Sequence, residues 1–175
     1  MSNAALENLL TRRSCRAYEE RQVREEDLDS ILEAGKYAPT GMGKQSPIIV
    51  VLQDKNTIAE VEKLNATVVG NPDAHTFYGA PTVIVVFGNS AAMTGYADAN
   101  MVIGNLLNAA NAVGVDSCYI WRAKEVFESD KGKALKAKWN VPENYEGVGN
   151  VILGYGKAEG KRPAAPRKAD YVIRV

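Results

Sequence analysis

The sequence predicts an α+β fold built around one mixed sheet. Several apolar runs have the length of strands, and the segments between them carry the apolar period of helices. The two kinds of segment follow one another without a strict β-α-β rhythm, which argues against a doubly wound parallel sheet. The chain has 175 residues, of which 46% are hydrophobic. We therefore expect a single domain, residues 1–175, with a core of its own.

Five strands are predicted from the apolar runs. Residues 48–52 and 82–87 are continuous apolar stretches, which is typical of strands buried on both faces. Residues 116–121 and 147–155 form the third and fourth strands. Residues 171–175 form a short terminal strand after a loop rich in proline, glycine and basic residues.

Helices are predicted ahead of these strands and between them. Leu6, Leu9 and Leu10 fall on one helical face near the N-terminus. The next helix starts in the acidic turn 25–27, which suits the positive end of a helix dipole, and ends before Pro39. Further segments are a helix at 54–65, an irregular stretch at 68–79, and a helical region at 123–139 interrupted near Gly132.

The longest predicted helix, residues 96–113, is rich in small residues and carries little charge. A helix of this kind is usually buried on nearly all sides. Its four asparagines then need hydrogen-bond partners, because buried polar groups are rarely left unpaired. We therefore predict that this helix lies in a core or in a subunit interface.

Composition and charge exclude several kinds of function. Lys+Arg and Asp+Glu both number 21, so neither nucleic acid nor an anionic membrane is expected as a partner. The apolar runs are too short to cross a bilayer. Cys15 and Cys118 lie far apart and form no C-x-x-C pair, which favours a cytoplasmic location. A single histidine, His75, supports neither a zinc site nor a Ser-His-Asp site, so no metal and no catalytic side chain is predicted.

Two basic clusters are candidate anion sites. Arg12, Arg13, Ser14 and Arg16 follow the first helical segment, and a guanidinium fork beside a hydroxyl matches phosphate oxygens well. A second cluster near the C-terminus contains Arg162, Arg167 and Lys168. Taken alone, either cluster could equally be a solvated surface segment.

Two glycine-containing loops are candidate ligand sites. In residues 39–45, Gly41 and Gly43 allow the backbone to approach a flat ligand, and Thr40 and Gln45 can form hydrogen bonds. A plain helix-to-strand loop is the alternative interpretation. Residues 154–160 lack the G-x-G-x-x-G pattern and are not followed by a helix, so a Rossmann dinucleotide site is rejected.

Taken together, these segments resemble the FMN-dependent nitroreductase family. The matching segments occur in the family's order and cover nearly the whole chain: 12–18, 38–45, 78–81, 114–121, 154–155 and 166–168. The resemblance implies a mixed, mainly antiparallel sheet flanked by helices. It also implies a homodimer in which the C-terminal strand crosses to the partner and FMN lies at the interface.

The resemblance also implies roles for individual residues. Arg12, Arg13 and Ser14 would hold the FMN phosphate together with Arg167 and Lys168. Arg16 would lie near the pyrimidine edge of the flavin, where it stabilises the negative charge of the reduced ring. The segment from the opposite subunit would supply Pro39, Thr40, Gly41, Met42 and Gln45. The other side of the ring would be covered by Tyr119, Ile120 and Trp121.

The implied activity is an FMN-dependent NAD(P)H oxidoreductase that reduces nitroaromatic or quinone-type acceptors by ping-pong hydride transfer. The cofactor carries this chemistry, which explains why no catalytic constellation stands out. The alternatives are another flavin reaction on the same fold, such as dehalogenation or azoline oxidation, or a flavin-binding protein without turnover. Gly43 stands where the family often has asparagine, and the long helical insertions of larger members are missing. We expect His75 to be a surface residue and Cys15 to be a filler, not a redox centre.

Overall fold

A computed structural model describes residues 3–175 as a four-stranded sheet packed between helices. The helices are α1 (Ala4–Thr11), α2 (Glu25–Lys36), α3 (Lys55–Val69), α4 (Gly95–Ala112), α5 (Ala123–Glu128) and α6 (Asp130–Lys138). The strands are β1 (Ile48–Leu52), β2 (Thr82–Asn89), β3 (Asp116–Ile120) and β4 (Tyr145–Gly154). Short 3₁₀ turns occur at Gly41–Gly43 and Ala158–Gly160. The α+β class predicted from the sequence is confirmed.

The four strands are ordered β1-β2-β4-β3, and every neighbouring pair is antiparallel. The expectation of a mainly antiparallel sheet flanked by helices is therefore confirmed. Within residues 3–175, a parallel pairing occurs in the isolated bridge between Ser14 and Ser117, at the outer edge of β3. The pairs β1–β2 and β3–β4 are each consecutive in the chain, and consecutive neighbours commonly return in the antiparallel direction.

The two faces of the sheet carry two separate hydrophobic layers. Successive side chains of a strand point to opposite faces, and β2 is buried on both. Val83 and Val85 pack into the layer that contains residues of α3, α5 and α6. Ile84 and Val86 pack into the layer formed with α2 and α4. The prediction that residues 82–87 form a strand buried on both faces is confirmed.

Three features of the structure differ from the sequence prediction. All three are segments whose apolar side chains a single chain leaves partly uncovered. Residues 48–51 of β1 are only half-buried, because β1 is an edge strand. α4 buries one face, while its outer face leaves Met101 49% exposed. Residues 171–175 form no strand and are exposed, because they pair with no sheet edge of their own chain.

Helix boundaries follow local chemistry. α3 runs past the predicted end at residue 65 and stops at Gly70, whose φ of 81° is the left-handed conformation that glycine adopts readily. The predicted interruption near Gly132 falls at Ser129, whose hydroxyl accepts a hydrogen bond from the Gly132 amide (3.1 Å) and caps α6. Within residues 3–175, none of the helices combines the length and apolar character needed to span a bilayer.

Candidate functional site

A cavity of about 480 Å³ lies at the C-terminal end of β3. Arg16 lines it, together with Tyr119, Ile120 and Trp121. The sequence prediction assigned these four residues to one ligand, although about a hundred residues separate Arg16 from the others. The fold therefore brings this part of the predicted site together.

Arg16 is held in place by the pairing of its segment with the edge of the sheet. The Cys15 amide donates to the Ser117 carbonyl (3.0 Å), and the Arg16 amide donates to the Gly160 carbonyl (2.8 Å). Cys15 is fully buried, and burial raises the pKa of its thiol, so the side chain is neutral at physiological pH. The backbone is thus fixed while the Arg16 side chain remains exposed at the cavity.

The neighbouring cationic residues are half-buried beside the end of α1. The Arg13 guanidinium donates to the carbonyls of Leu10 (2.8 Å) and Arg12 (2.7 Å), which ties it to the helix end. Ser14 forms the bridge to Ser117. Among residues 3–175, neither Arg12 nor Arg13 has a carboxylate partner. The pair is therefore available to an anion.

The C-terminal basic residues lie in an exposed tail. Gly160 and Lys161 pair with Arg16 and Cys15, so the tail begins beside the first basic cluster. Arg167 and Lys168 follow within this tail and are exposed. Six extended residues reach at most about 22 Å, which is enough for Arg167 to return to the cluster. Among residues 3–175, no side-chain hydrogen bond or ion pair links Arg167 or Lys168 to residues 12–16.

The segment 39–45 lies at a different place. Pro39, Thr40 and Gln45 line a separate cavity of about 580 Å³. The Gly41 amide donates to the Asp98 carboxylate (2.9 Å) at the start of α4, and Met42 is 82% exposed. β1 and β3 are opposite edges of the sheet, three strand spacings or about 14 Å apart. None of residues 39–45 lines the 480 Å³ cavity, so in one chain the two predicted segments lie at separate cavities.

Asn65 is a site residue that the sequence analysis missed. It lies in α3, is fully buried and lines the cavity. Its Nδ2 donates to the Trp121 carbonyl (2.9 Å), whereas its Oδ1 has no hydrogen-bond partner among residues 3–175. The signal was present, because Asn65 falls four residues after Val61 and seven after Ile58 on the apolar face of the helix.

Thr76, Tyr78 and Arg122 were missed as well. All three line the cavity, and the buried Thr76 Oγ1 also lacks a partner within residues 3–175. An amide oxygen and a hydroxyl without protein partners, on two residues that line one cavity, are suited to a ligand that forms hydrogen bonds. His75 is exposed, and it also lines this cavity.

Backbone strain is concentrated in these segments. Among residues 3–175, five non-glycine residues have positive φ: Met42, Gln45, Tyr78, Arg122 and Asn140. The first two belong to the segment 39–45, and the next two line the 480 Å³ cavity. Left-handed conformations of this kind cluster at functional sites, because only a surrounding structure that needs them maintains them.

The electrostatic character of the cavity is cationic. Arg16 and Arg122 both line it, and none of the lining residues is acidic. Burial raises the pKa of Tyr119 to about 12, so its hydroxyl is neutral and donates to the Val148 carbonyl (3.2 Å). No group of three or more His, Cys, Asp or Glu side chains suited to a metal ion occurs within residues 3–175. The cavity thus suits a flat ligand with N–H donors and a negatively charged edge.

Comparison with known proteins identifies relatives over the whole length. A protein of Archaeoglobus fulgidus, provisionally named an NADH dehydrogenase/NAD(P)H nitroreductase, is 29% identical over 164 residues, 88% of this chain and 86% of that protein. A Bacteroides fragilis nitroreductase solved with bound FMN has a TM-score of 0.91 at 27% identity, covering 99% of this chain and 100% of the other. An FMN-dependent nitroreductase from Clostridium difficile has a TM-score of 0.85 at 25% identity, covering 100% of both chains. The family model described as the Nitroreductase family matches residues 9–155, and the chain belongs to that family.

Proposed function

We propose that this protein is an FMN-dependent NAD(P)H oxidoreductase that reduces nitroaromatic or quinone-type acceptors. The observation that carries the proposal is the 480 Å³ cavity, where Arg16 and the unpaired Oδ1 of Asn65 flank residues 119–121. Relatives solved with FMN, and a Bacillus subtilis relative named FMN reductase [NAD(P)H], support the same assignment. Bound FMN would accept a hydride from NAD(P)H and pass it to the acceptor in a ping-pong cycle.

The residues present fit FMN. The Asn65 Oδ1 is a buried acceptor without a donor, and the flavin ring carries an imide N–H that can supply one. Arg16 supplies the positive charge that stabilises a negatively charged pyrimidine edge. Ile120 and Trp121 provide apolar surface for the ring. The phosphate would be held by Arg12, Arg13 and Ser14 with Arg167 and Lys168, once the tail folds back.

The protein groups then act by binding and positioning. Arg16 would stabilise the negative charge that a bound flavin acquires on reduction. The neutral Tyr119 hydroxyl is already bonded to Val148 and serves to fix the wall. In this proposal no side chain transfers a proton.

The active unit is proposed to be a homodimer, because the site is incomplete in one chain. None of residues 39–45 lines the 480 Å³ cavity of its own chain, so this segment would serve the cavity of the partner. Leu6, Leu9 and Leu10 of α1 are each more than half exposed, and the outer face of α4 is uncovered beside them. Exposed apolar side chains grouped on helix faces are typical of an interface.

The tail is proposed to cross to the partner as a strand. A groove of about 970 Å³ runs between α2 and the open edge of β1 and is lined by Leu32, Ile49 and Val51. Val172 and Ile173 of the tail are exposed and could fill such a groove. An added strand would also pair the backbone groups that an edge strand leaves free. A cytoplasmic location is proposed as well, since both cysteines are free and buried.

The test is direct. We expect the purified protein to be yellow, and to oxidise NADH or NADPH when a nitrofuran is added. Its flavin should be bleached by NAD(P)H under anaerobic conditions and restored by the acceptor alone. Protein that stays colourless and inert after addition of FMN would contradict the proposal. Bound FMN that NAD(P)H does not reduce would instead indicate a flavin-binding protein without turnover.

A further inference from the structure

The cavity holds one guanidinium more than the flavin needs. Arg16 and Arg122 both line it, and no acidic side chain does. Arg122 is half-buried and has no ion-pair partner among residues 3–175. A partly buried cation that is not paired within the protein is suited to pair with a ligand. If Arg16 serves the flavin, the charge of Arg122 is left without a role.

The backbone of Arg122 shows that this position is held firmly. Its φ and ψ of 79° and 15° are left-handed, a conformation that glycine or asparagine adopts more readily. The residue is fixed on both sides, since Asn65 holds the Trp121 carbonyl and Ala123 is fully buried at the start of α5. The side chain makes no capping bond to α5. The turn alone therefore does not explain why an arginine stands here.

The adjacent side chains favour an aromatic ligand. Trp121 is half exposed beside Arg122, and its ring meets Tyr119 edge-on with centroids 6.2 Å apart. An aromatic ring can pack on this surface while a guanidinium fork binds two oxygens of an attached carboxylate. The phosphate of a nicotinamide nucleotide offers the same oxygen geometry.

We infer that Arg122 binds an anionic oxygen group, a carboxylate or a phosphate, on the molecule that exchanges electrons at this cavity. The inference rests on the proposed function, because it takes Arg16 to be occupied by the flavin. It makes Arg122 a residue that selects charged over neutral substrates. The Arg122 guanidinium contacts the anionic group and leaves the reacting atoms to the cofactor.

The experiment measures binding without turnover. Isothermal titration calorimetry of the FMN-loaded protein compares benzoate with benzamide, which has the same shape and no charge. A second arm compares nicotinamide mononucleotide with nicotinamide riboside, which lacks the phosphate. We expect the anionic member of at least one pair to bind ten times or more tightly. We expect this preference to fall to within twofold in Arg122→Gln.

The arms identify the source of the anion. Loss of the benzoate preference supports a carboxylate-bearing acceptor, and loss of the mononucleotide preference supports the nucleotide phosphate. The inference would be overturned if, in the unmodified protein, the two members of each pair bound equally tightly. It would also be overturned if the preference for the anionic member survived in Arg122→Gln. FMN binding that weakens tenfold in this variant would assign Arg122 to the flavin and would also overturn it.

Two further variants control for misfolding and for a general effect of lost positive charge. Arg122→Gly removes the guanidinium and is compatible with the left-handed backbone, so it should fold and show the same loss of preference. Lys131→Gln removes an exposed charge from α6, away from the cavity, and should change neither preference. NAD(P)H oxidation with a neutral nitrofuran is measured separately. A failure there rejects the proposed function, whereas the ligand preferences alone decide the role of Arg122.

Discussion

The unpaired Oδ1 of Asn65 leads to a sharp expectation for Asn65→Leu. In the free protein, a buried acceptor without a partner costs about 1–3 kcal/mol, whereas the Nδ2 bond to Trp121 contributes about 0.5–1.5 kcal/mol. Leucine removes both effects at similar volume. The two effects oppose each other, so we expect the unfolding free energy of the FMN-free protein to change by between a loss of about 0.5 and a gain of about 2.5 kcal/mol.

The FMN-bound protein should respond differently. When a flavin donor satisfies Oδ1, binding relieves the penalty of about 1–3 kcal/mol, and leucine forfeits that gain. The dissociation constant for FMN should therefore rise about 5- to 150-fold. Urea denaturation with and without FMN, together with a fluorescence titration of FMN, measures both quantities.

Asn105→Leu is the matched control. The Asn105 Nδ2 also donates to a backbone carbonyl, that of Ala34 (2.9 Å), but Asn105 lies in α4 and does not line the cavity. This variant should lose about 1 kcal/mol of stability and keep the FMN affinity unchanged. The reasoning is refuted if Asn65→Leu binds FMN as tightly as the unmodified protein.

Three further expectations follow from the same geometry. Arg12→Ala or Arg13→Ala should weaken FMN binding about 10- to 100-fold in a fluorescence titration, because a charge-assisted hydrogen bond is worth about 1.5–3 kcal/mol. Unchanged affinity in both variants would mean that the phosphate lies elsewhere. The double variant Leu9→Glu, Leu10→Glu should sediment as a monomer, because it places charge on the exposed face of α1. A variant that remains a dimer would show that α1 is not part of the interface. Burial raises the pKa of Tyr119 to about 12, above the value near 10 of an unfolded phenol. The unfolding free energy should therefore fall as pH rises from about 10 through 12. In urea denaturation, Tyr119→Phe should make this fall with pH less steep. A fall that is as steep in the variant would contradict the expectation.

The sequence predicted the buried parts of the fold well, because hydrophobic periodicity reports burial within one chain. The strand at 82–87 and the inner face of α4 are examples. The same signal misled at β1, where an apolar run indicated burial on both faces but the structure leaves residues 48–51 half exposed. An apolar pattern does not distinguish a core from an interface. The sequence therefore does not indicate whether residues 48–51 are covered by their own chain or by a partner.

The candidate site was predictable only where residue type itself carries the signal. Arg16 and residues 119–121 were predicted to share a ligand, and they line one cavity. Asn65 and Arg122 were missed for a physical reason. The importance of Asn65 comes from an acceptor left unpaired in three dimensions, and that of Arg122 from its backbone conformation and the absence of nearby acids. The burial of Asn65 could be read from its place on the apolar face of α3, whereas the unpaired acceptor and the left-handed backbone exist only in the folded chain.

The hydrogen bond of Cys15 to Ser117 ties the first twenty residues to β3, and that of Arg16 to Gly160 ties them to the last twenty. A ligand bound at Arg16 therefore restrains the segment whose backbone hydrogen bonds hold the N-terminal region and the start of the C-terminal tail at the outer edge of β3. Amide hydrogen–deuterium exchange should slow at Cys15 and Arg16 when the cavity fills, even though neither amide faces the ligand. Loss of the cofactor would accordingly loosen the chain ends first, which makes early proteolysis of the termini a sign of empty protein.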